Sequence, residues 1–282
     1  MRIGVLGPRG SYSEMAASRR FPDAELVYFD DIEDIFDAVE RCDADMGVVP
    51  LENSLEGSVA LTLDLLLRRS LFVCGEVVIP IRHCLLGRGD PDSVRIILSH
   101  PQALAQCRQY IRRRYPGVEL RTTGSTSHAA RLAQEFPEMA AIANLEAAKR
   151  YGLKVLDRDI QDSKNNVTRF VVLSREMARR TGDDRTSIAV YLEKDRPGAL
   201  FSILREFAVR NINLTRIESR PSRRELGDYY FFIDLEGHVE DDAVREALEG
   251  IEKAANMVKV LGSYPKDQAI LGEAHLRELS EI

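Results

Sequence analysis

Apolar and polar positions run along this chain in two rhythms. Short apolar, β-branched runs at 2–6, 25–30, 46–49, 94–98, 119–122, 140–143, 153–156 and 170–173 predict strands. Between them the apolar positions recur at helical spacing. The stretch 32–41 shows this best, with apolar residues at 32, 35, 36 and 39. Helices are also predicted up to Phe21, over 59–69, after 99–102, up to Gln134, and briefly after Asn144. The run 72–86 is too long for an ordinary strand and contains Pro80, so it predicts a segment passing from one lobe to another.

A charged stretch, 174–185, then interrupts the pattern and predicts a domain boundary. Beyond it come a strand at 186–193, a helix at 199–210, strands at 212–220 and 229–235, a helix at 241–254 and a strand at 258–261. The hairpin tip falls at 222–228, after Pro221. The order βαββαβ in roughly 80 residues is the ferredoxin-like split motif. The expected domains are 1–180, 186–264 and a polar tail at 265–282. Within the first, one lobe takes about 1–78 plus 163–178 and the other about 79–162.

Predicted strand ends share a signature. They run into small or hydroxylic residues at a helix start: Ser11 and Ser13, Asn53 and Ser54, Ser99, Ser125 to Ser127, and Asn144. Each one alone reads as a helix cap. Strand ends of an α/β sheet share one edge, however, so together they predict convergence on a ligand cleft in a two-lobed, hinged domain. Gln102 and Gln106 stand one helical turn apart on one face. Glu52 follows a strand in a turn that needs no carboxylate. The stretch Asp162–Phe170 reads as a turn delivering a strand, with Thr168 and Arg169 at its mouth.

Composition narrows the function classes. The 282 residues are 44 % hydrophobic and 30 % charged, with a net charge of −6. That balance excludes nucleic acid as a main partner, because phosphate binding needs a basic face. The run Arg112–Arg114 reads as a solvated helix C-terminus. No apolar run approaches a membrane span, since Asp64 interrupts the greasiest helical patch at 61–67. No membrane partner and a cytoplasmic location are expected. The four cysteines form no Cys-x-x-Cys and the five histidines are scattered, so neither a metal site nor a disulfide framework is expected.

Four blocks carry a resemblance. Gly7-Pro-Arg-Gly-Ser-Tyr-Ser-Glu-Met-Ala-Ala17, Val49-Pro-Leu-Glu-Asn-Ser54, Ser99-His-Pro-Gln-Ala-Leu-Ala-Gln106 and Asn166-Val-Thr-Arg-Phe170 resemble, in this order, the motifs of the prephenate dehydratases. The C-terminal unit resembles an ACT domain, with Gly198-Ala-Leu200 and Glu218-Ser-Arg-Pro221 similar to the segments with which this family holds phenylalanine. The resemblance implies an α/β fold with a periplasmic-binding-protein-like catalytic domain and an ACT regulatory domain. It implies conversion of prephenate to phenylpyruvate on the way to phenylalanine, with no cofactor. It also implies feedback by L-phenylalanine and a homodimer or homotetramer. Many relatives carry a chorismate mutase domain before the dehydratase. Here the dehydratase begins at residue 2, which implies an enzyme monofunctional for that pair of reactions.

The same resemblance implies residue roles. Thr168 donates a hydrogen bond to the departing hydroxyl, with Glu52 and Asn53 beside it as catalytic candidates. Glu52 is either a general acid, if burial raises its pKa, or an orienting group. The second is favoured, because a carboxylate near a dianion costs energy. Ser11, Ser54, Ser99, Gln102, Gln106, Ser125, Thr126, Arg169 and Phe170 are the substrate-binding candidates. Arg169 reads equally as a carboxylate clamp or a structural ion pair. Gly198, Ala199, Leu200, Glu218, Ser219, Arg220 and Pro221 are the phenylalanine-binding candidates. Two alternatives stay open: an arogenate dehydratase, acting on the transaminated substrate, and a non-catalytic amino-acid-binding regulator.

Overall fold

A computed structural model describes residues 1–192, 197–222 and 228–267. The expectations for 193–196, for most of the hairpin tip and for the tail beyond 267 fall outside these residues. The described chain forms two compact units. One comprises Met1–Ala38, Asp43–Val59 and Val78–Phe170; the other comprises Val39–Cys42, Ala60–Val77 and the described residues from Val171 on.

Three sheets organise the chain. The first has the order β2-β1-β3-β11-β5, built from β1 (Arg2–Leu6), β2 (Glu25–Phe29), β3 (Met46–Asn53), β5 (Phe72–Pro80) and β11 (Val167–Ser174), with the short β4 (Gly57–Ser58) paired to β3. β1 runs parallel to both β2 and β3. Parallel neighbours need crossovers, supplied here by α1 (Tyr12–Arg20) and α2 (Ile32–Glu40). The apolar stripe of α2 is buried as its spacing requires: Ile35, Phe36 and Val39 have no exposed surface.

The second sheet has the order β10-β6-β9-β7-β8, from β6 (Cys84–Gly87), β7 (Ile96–Ser99), β8 (Glu119–Thr122), β9 (Met139–Ala143) and β10 (Lys154–Asp157). β7 is parallel to β8 and β9, whereas β6 is antiparallel to β9 and β10. Its helices are α4 (Pro101–Gln106), α5 (Arg108–Arg114), α6 (Thr126–Leu132) and α7 (Leu145–Tyr151). Leu85, Ile97 and Ile142 pack under α4 and α5 in one core. The other core is alanine-rich: Ala129, Ala130, Ala141, Ala143, Ala147 and Ala148 are all buried in it, and small side chains let α6 and α7 lie close to the strands.

The chain crosses to the second sheet between Pro80 and Cys84 and returns between Asp157 and Val167. The long β-rich run is therefore two strands, broken after Pro80, where a residue without an N–H suits a strand end. Strands β3 and β11, which carry site residues, are longer than their sequence predicts. β3 continues to Asn53 because a hairpin pairs Glu52 with Ser58 and Asn53 with Gly57. β11 begins at Val167, so Thr168 and Arg169 lie within a strand and not in the turn before it.

The third sheet has the order β13-β14-β12-β15 and confirms the split βαββαβ pattern. Its elements are β12 (Asp184–Leu192), α8 (Ala199–Ala208), β13 (Leu214–Pro221), β14 (Tyr229–Glu236), α9 (Asp242–Glu252) and β15 (Met257–Pro265). Ile188, Val190, Ile233 and Leu235 face Ile203, Phe207, Val244, Ala247 and Ile251 of the helices in one core. The compact unit that holds this sheet also includes α3 (Ala60–Arg68).

Candidate active site

A cavity of about 280 Å³ is lined by residues of the first unit, drawn from the first two sheets and their loops. Leu6, Ser11, Tyr12, Ser13, Asn53, Thr168 and Phe170 come from the first sheet and its loops; His100, Gln102, Gln106, Ser125 and Thr126 come from the second; Ile81 and His83 come from the crossover. None of the residues lining it is Asp, Glu, Lys or Arg. An anion there would meet hydroxyls, amides and peptide N–H groups.

The polar groups hold one another in fixed orientations. Asn53 Oδ1 accepts from the backbone N–H groups of Leu55 (3.0 Å) and Glu56 (3.2 Å). Its amide nitrogen is thereby turned towards Asn166 Oδ1 (2.7 Å), the Val167 carbonyl (3.1 Å) and Thr168 Oγ1 (2.9 Å). Asn166 Nδ2 donates to Gln106 Oε1 at 2.8 Å, and Gln106 Nε2 donates to Glu56 Oε1 at 3.2 Å. His83 Nε2 lies 2.9 Å from the same Gln106 oxygen. An oxygen only accepts, so His83 carries its proton on Nε2. Burial pushes the His83 pKa below its ordinary value, opposed by the hydrogen bond to Gln106, so the ring is neutral at pH 7.

This polarity has a chemical consequence. Thr168 Oγ1 receives a hydrogen bond from Asn53, and no acceptor for its own proton stands among the described residues. The hydroxyl is left as a directed donor at the cavity wall.

The other predicted residues fall into groups. Ser11 caps α1, accepting from the Glu14 N–H at 3.2 Å, and also donates to the Leu6 carbonyl at 3.1 Å. Ser125 caps α6 through the His128 N–H at 3.0 Å. Both line the cavity, as do Thr126, Gln102, Gln106 and Phe170. Ser99 does not. It is fully buried and donates to the Ile142 carbonyl at 2.6 Å, which ties β7 to β9. The cap on α4 is His100, whose Nδ1 accepts from Gln102 N–H at 3.3 Å. Ser54 also lies off the cavity. It bridges the Asn165 carbonyl (2.9 Å) and the Val167 N–H (3.0 Å), so it fastens the hairpin to β11 and does not cap α3. Glu52 and Arg169 lie off the lining as well, 3.4 Å apart, with Arg169 buried.

Sequence reasoning passed over Asn166, which is buried and joins Gln106 to Asn53. The signal available was its place in the Asn166–Phe170 block, two positions before Thr168. Nothing local marked His83, Tyr12 or His100. Tyr12 donates to the Arg82 carbonyl at 2.6 Å and packs edge-on against His83; burial raises its pKa.

In the third sheet, Gly198 has φ +83° and starts α8, a conformation that favours glycine. Ala199 and Leu200 open that helix. On β13, Arg216 and Glu218 pair at 2.5 Å, Ser219 stands opposite Phe231, and Arg220 reaches Asp64 of α3 at 3.1 Å. Pro221 shares a second cavity with Arg220, and Gly198–Leu200 do not line it.

The comparisons with known proteins agree over nearly the whole chain. The prephenate dehydratase family model matches residues 3–178, and the ACT domain model matches 186–253. The prephenate dehydratase of Methanocaldococcus jannaschii is 42 % identical over 267 residues, covering 92 % of this chain and 96 % of that protein. The Arabidopsis thaliana protein named arogenate dehydratase/prephenate dehydratase 2 is 42 % identical over 287 residues, covering 96 % and 74 %. A crystal structure of prephenate dehydratase from Arthrobacter aurescens in complex with L-Phe is 35 % identical, covers 99 % of each chain and gives a TM-score of 0.85. The chain belongs to the prephenate dehydratase family, with an α/β catalytic region followed by an ACT domain.

Proposed function

We propose that this enzyme converts prephenate to phenylpyruvate, carbon dioxide and water, with Thr168 as the donor to the departing hydroxyl. The observation that carries the assignment is the Asn53–Thr168 hydrogen bond of 2.9 Å at the wall of an uncharged cavity. As the ring carboxylate leaves as CO2, the electrons of its C–C bond move into the ring. The C–O bond at the opposite ring carbon breaks, and the departing hydroxide takes up one proton from solvent to become water. Aromatisation makes the step strongly downhill, so the barrier lies in charge separation at the leaving oxygen. A fixed donor there lowers it without acting as an acid. A threonine is far too weak an acid to be ionised, so its effect comes from placement.

Ser11, Ser125, Thr126 and Gln102 are assigned to substrate binding, and Phe170 to the apolar wall beside the ring. Uncharged donors hold the leaving carboxylate without over-stabilising its ground state. Asn53 is assigned to orienting Thr168, and Gln106 to orienting Asn166. The Glu52–Arg169 pair and Ser54 are assigned to holding β3 against β11, and Ser99 to holding the second sheet. The domain division proposed is 1–180 for catalysis and 186–264 for regulation, which the family matches over 3–178 and 186–253 support. L-phenylalanine is the feedback effector through the ACT domain, in keeping with the L-Phe complex of the Arthrobacter aurescens relative. We also propose a homodimer or homotetramer. A cytoplasmic location is proposed from the four free cysteines, which suit a reducing compartment; no described helix is long and apolar enough to cross a membrane.

The test is a stopped assay on prephenate, scoring phenylpyruvate by its alkaline enolate absorbance. Thr168→Ala should lose about 10²–10³-fold in kcat, the usual cost of one placed donor, while Thr168→Ser retains most of it. Arogenate runs in parallel, because a relative carries both activities in its name. A Thr168→Ala protein that melts normally and keeps kcat within a few-fold would remove Thr168 from the mechanism. Faster turnover of arogenate than of prephenate would reassign the substrate.

A further inference from the structure

The first two sheets also meet where the Arg9–Gly10 segment, just before α1, lies against α6 and α7. Ser127 of α6 donates through Oγ to the Arg9 carbonyl, and Tyr151 Oη stands 3.1 Å from that hydroxyl. Asn144 Nδ2 donates to the Gly10 carbonyl at 2.9 Å, while its Oδ1 caps α7 by accepting from the Ala147 N–H at 2.8 Å. The Gly10 N–H donates to Glu14 Oε2 at 2.5 Å, and the other oxygen of Glu14 accepts from Arg150 of α7 at 2.6 Å. Both carbonyls of a two-residue segment are thus held by side chains of the second sheet's helices. Gly10 is buried, Ser127 is fully buried and Asn144 is 2 % exposed. Bulk water does not reach these bonds, so a partner lost there leaves a polar group unsatisfied.

The contact is continuous with the candidate active site on both sides. Ser11 follows Gly10, and Ser125 and Thr126 precede Ser127; all three line the cavity. Ser11 is fixed to its own surroundings, since it caps α1 and donates to the Leu6 carbonyl. Ser125 is fixed in the same way as the cap of α6. Each hydroxyl therefore moves with its own sheet. The chain passes between the two sheets at 80–84 and again at 157–167, so the spacing of the sheets elsewhere depends on non-covalent contacts. The Asn166–Gln106 hydrogen bond supplies one such contact beside Thr168. The bonds to the Arg9 and Gly10 carbonyls supply another beside the binding hydroxyls.

We infer that Ser127 and Asn144 are positioning residues for the substrate: by gripping the Arg9 and Gly10 carbonyls they hold Ser11 at a fixed spacing from Ser125 and Thr126. The inference rests on the proposed reaction and goes beyond it, since neither residue lines the cavity. A dianion met by hydroxyls from two sheets binds well only when both sets reach it together. The grip lies outside the series that orients Thr168, so it governs binding more than the chemical step. Loss of binding that is common to the ground and transition states raises KM and leaves kcat little changed.

The experiment uses Asn144→Ser and Ser127→Ala in the full chain, with steady-state kinetics on prephenate and hydrogen exchange of the backbone amides. Asn144→Ser separates the two bonds of that residue, because serine caps a helix as asparagine does but has no amide to reach Gly10. Each variant should raise KM for prephenate about tenfold or more, with kcat falling by less than about threefold. The amides of residues 10–13 should exchange faster, whereas those of α7 in Asn144→Ser should exchange as in wild type. Ser127→Ala removes one oxygen atom and serves as the test if Asn144→Ser does not fold. Faster exchange at 10–13 with KM within about twofold of wild type would overturn the inference and leave the bonds as packing contacts, with the prephenate activity untouched. A fall in kcat at unchanged KM would overturn it as well. A wild type that turns over arogenate and not prephenate, with the same rise in KM for arogenate in both variants, would overturn the proposed substrate and leave the grip standing.

Discussion

At the scale of single residues, orientation matters more than charge. Thr168 is placed by Asn53, Asn53 by two peptide N–H groups and Asn166, and Asn166 by Gln106. Each amide in this series has its two ends distinguished by what it touches, so no flip preserves the bonding. His83 closes the series as a neutral donor. Its pKa is lowered chiefly by burial, and this fixes the sign of a stability effect. Its ordinary value lies near 6.5. As pH falls below that value, the unfolded chain takes up a proton on His83 before the folded chain does. The histidine's contribution to stability is therefore fully present above about pH 6.5 and is lost as pH drops towards its folded pKa. Denaturant midpoints between pH 7.5 and 5 should fall more steeply for wild type than for His83→Gln. Parallel slopes would show that the ring is not buried as a neutral donor.

Single secondary elements gain roles from what caps them. α3 is the apolar helix that Asp64 interrupts, and the interruption is used, because Asp64 faces Arg220. The far end of α3 is held by Lys259 of β15, whose ammonium donates to the carbonyls of Leu66 (2.9 Å), Leu67 (3.0 Å) and Arg69 (2.7 Å). A helix leaves its last carbonyls without intrahelical partners and carries a partial negative charge there, so a cation suits the position. Lys259→Met should cost about 1.5–3 kcal/mol of stability, the range for hydrogen bonds to a charged donor, with little change in prephenate turnover. A denaturant midpoint within error of wild type would show that water replaces the lysine without loss. Further along β15, Gly262 lies against the backbone of Val73 in β5, where a Cβ would collide with the Val73 carbonyl. Hairpins and strand ends were harder to read than helices. Pro50 and the polar run after it look like a turn, yet pairing with β4 keeps Glu52 and Asn53 in a strand. Cross-strand pairing is set by a partner, whereas a helix stripe is set by the helix's own spacing.

For the whole molecule, regulation requires that two sites bias one another. If phenylalanine weakens the binding of a substrate analogue by some factor, the analogue must weaken phenylalanine binding by the same factor. Paired calorimetric titrations of each ligand in the presence of the other should return equal ratios. Ratios of one in both directions would place the inhibition on turnover and not on substrate binding. The sequence alone determined most of the order of elements, the βαββαβ unit and the four motif blocks, because these depend on spacing between neighbours in the chain. Thr168, Asn53, Gln102, Gln106 and Ser125, all singled out in the sequence, line one cavity. Only the tertiary structure decided that Ser99 and Ser54 hold strands, that Glu52 faces Arg169, that Asn166 and His83 complete the polar series, and that Asp64 meets Arg220. Those partners stand far apart in the chain: 115 positions separate Asn53 from Thr168, and 156 separate Asp64 from Arg220. A hydroxyl or carboxylate in a local pattern carries its chemistry but not its partner, and the partner is supplied by the packing of sheets whose order no local spacing encodes.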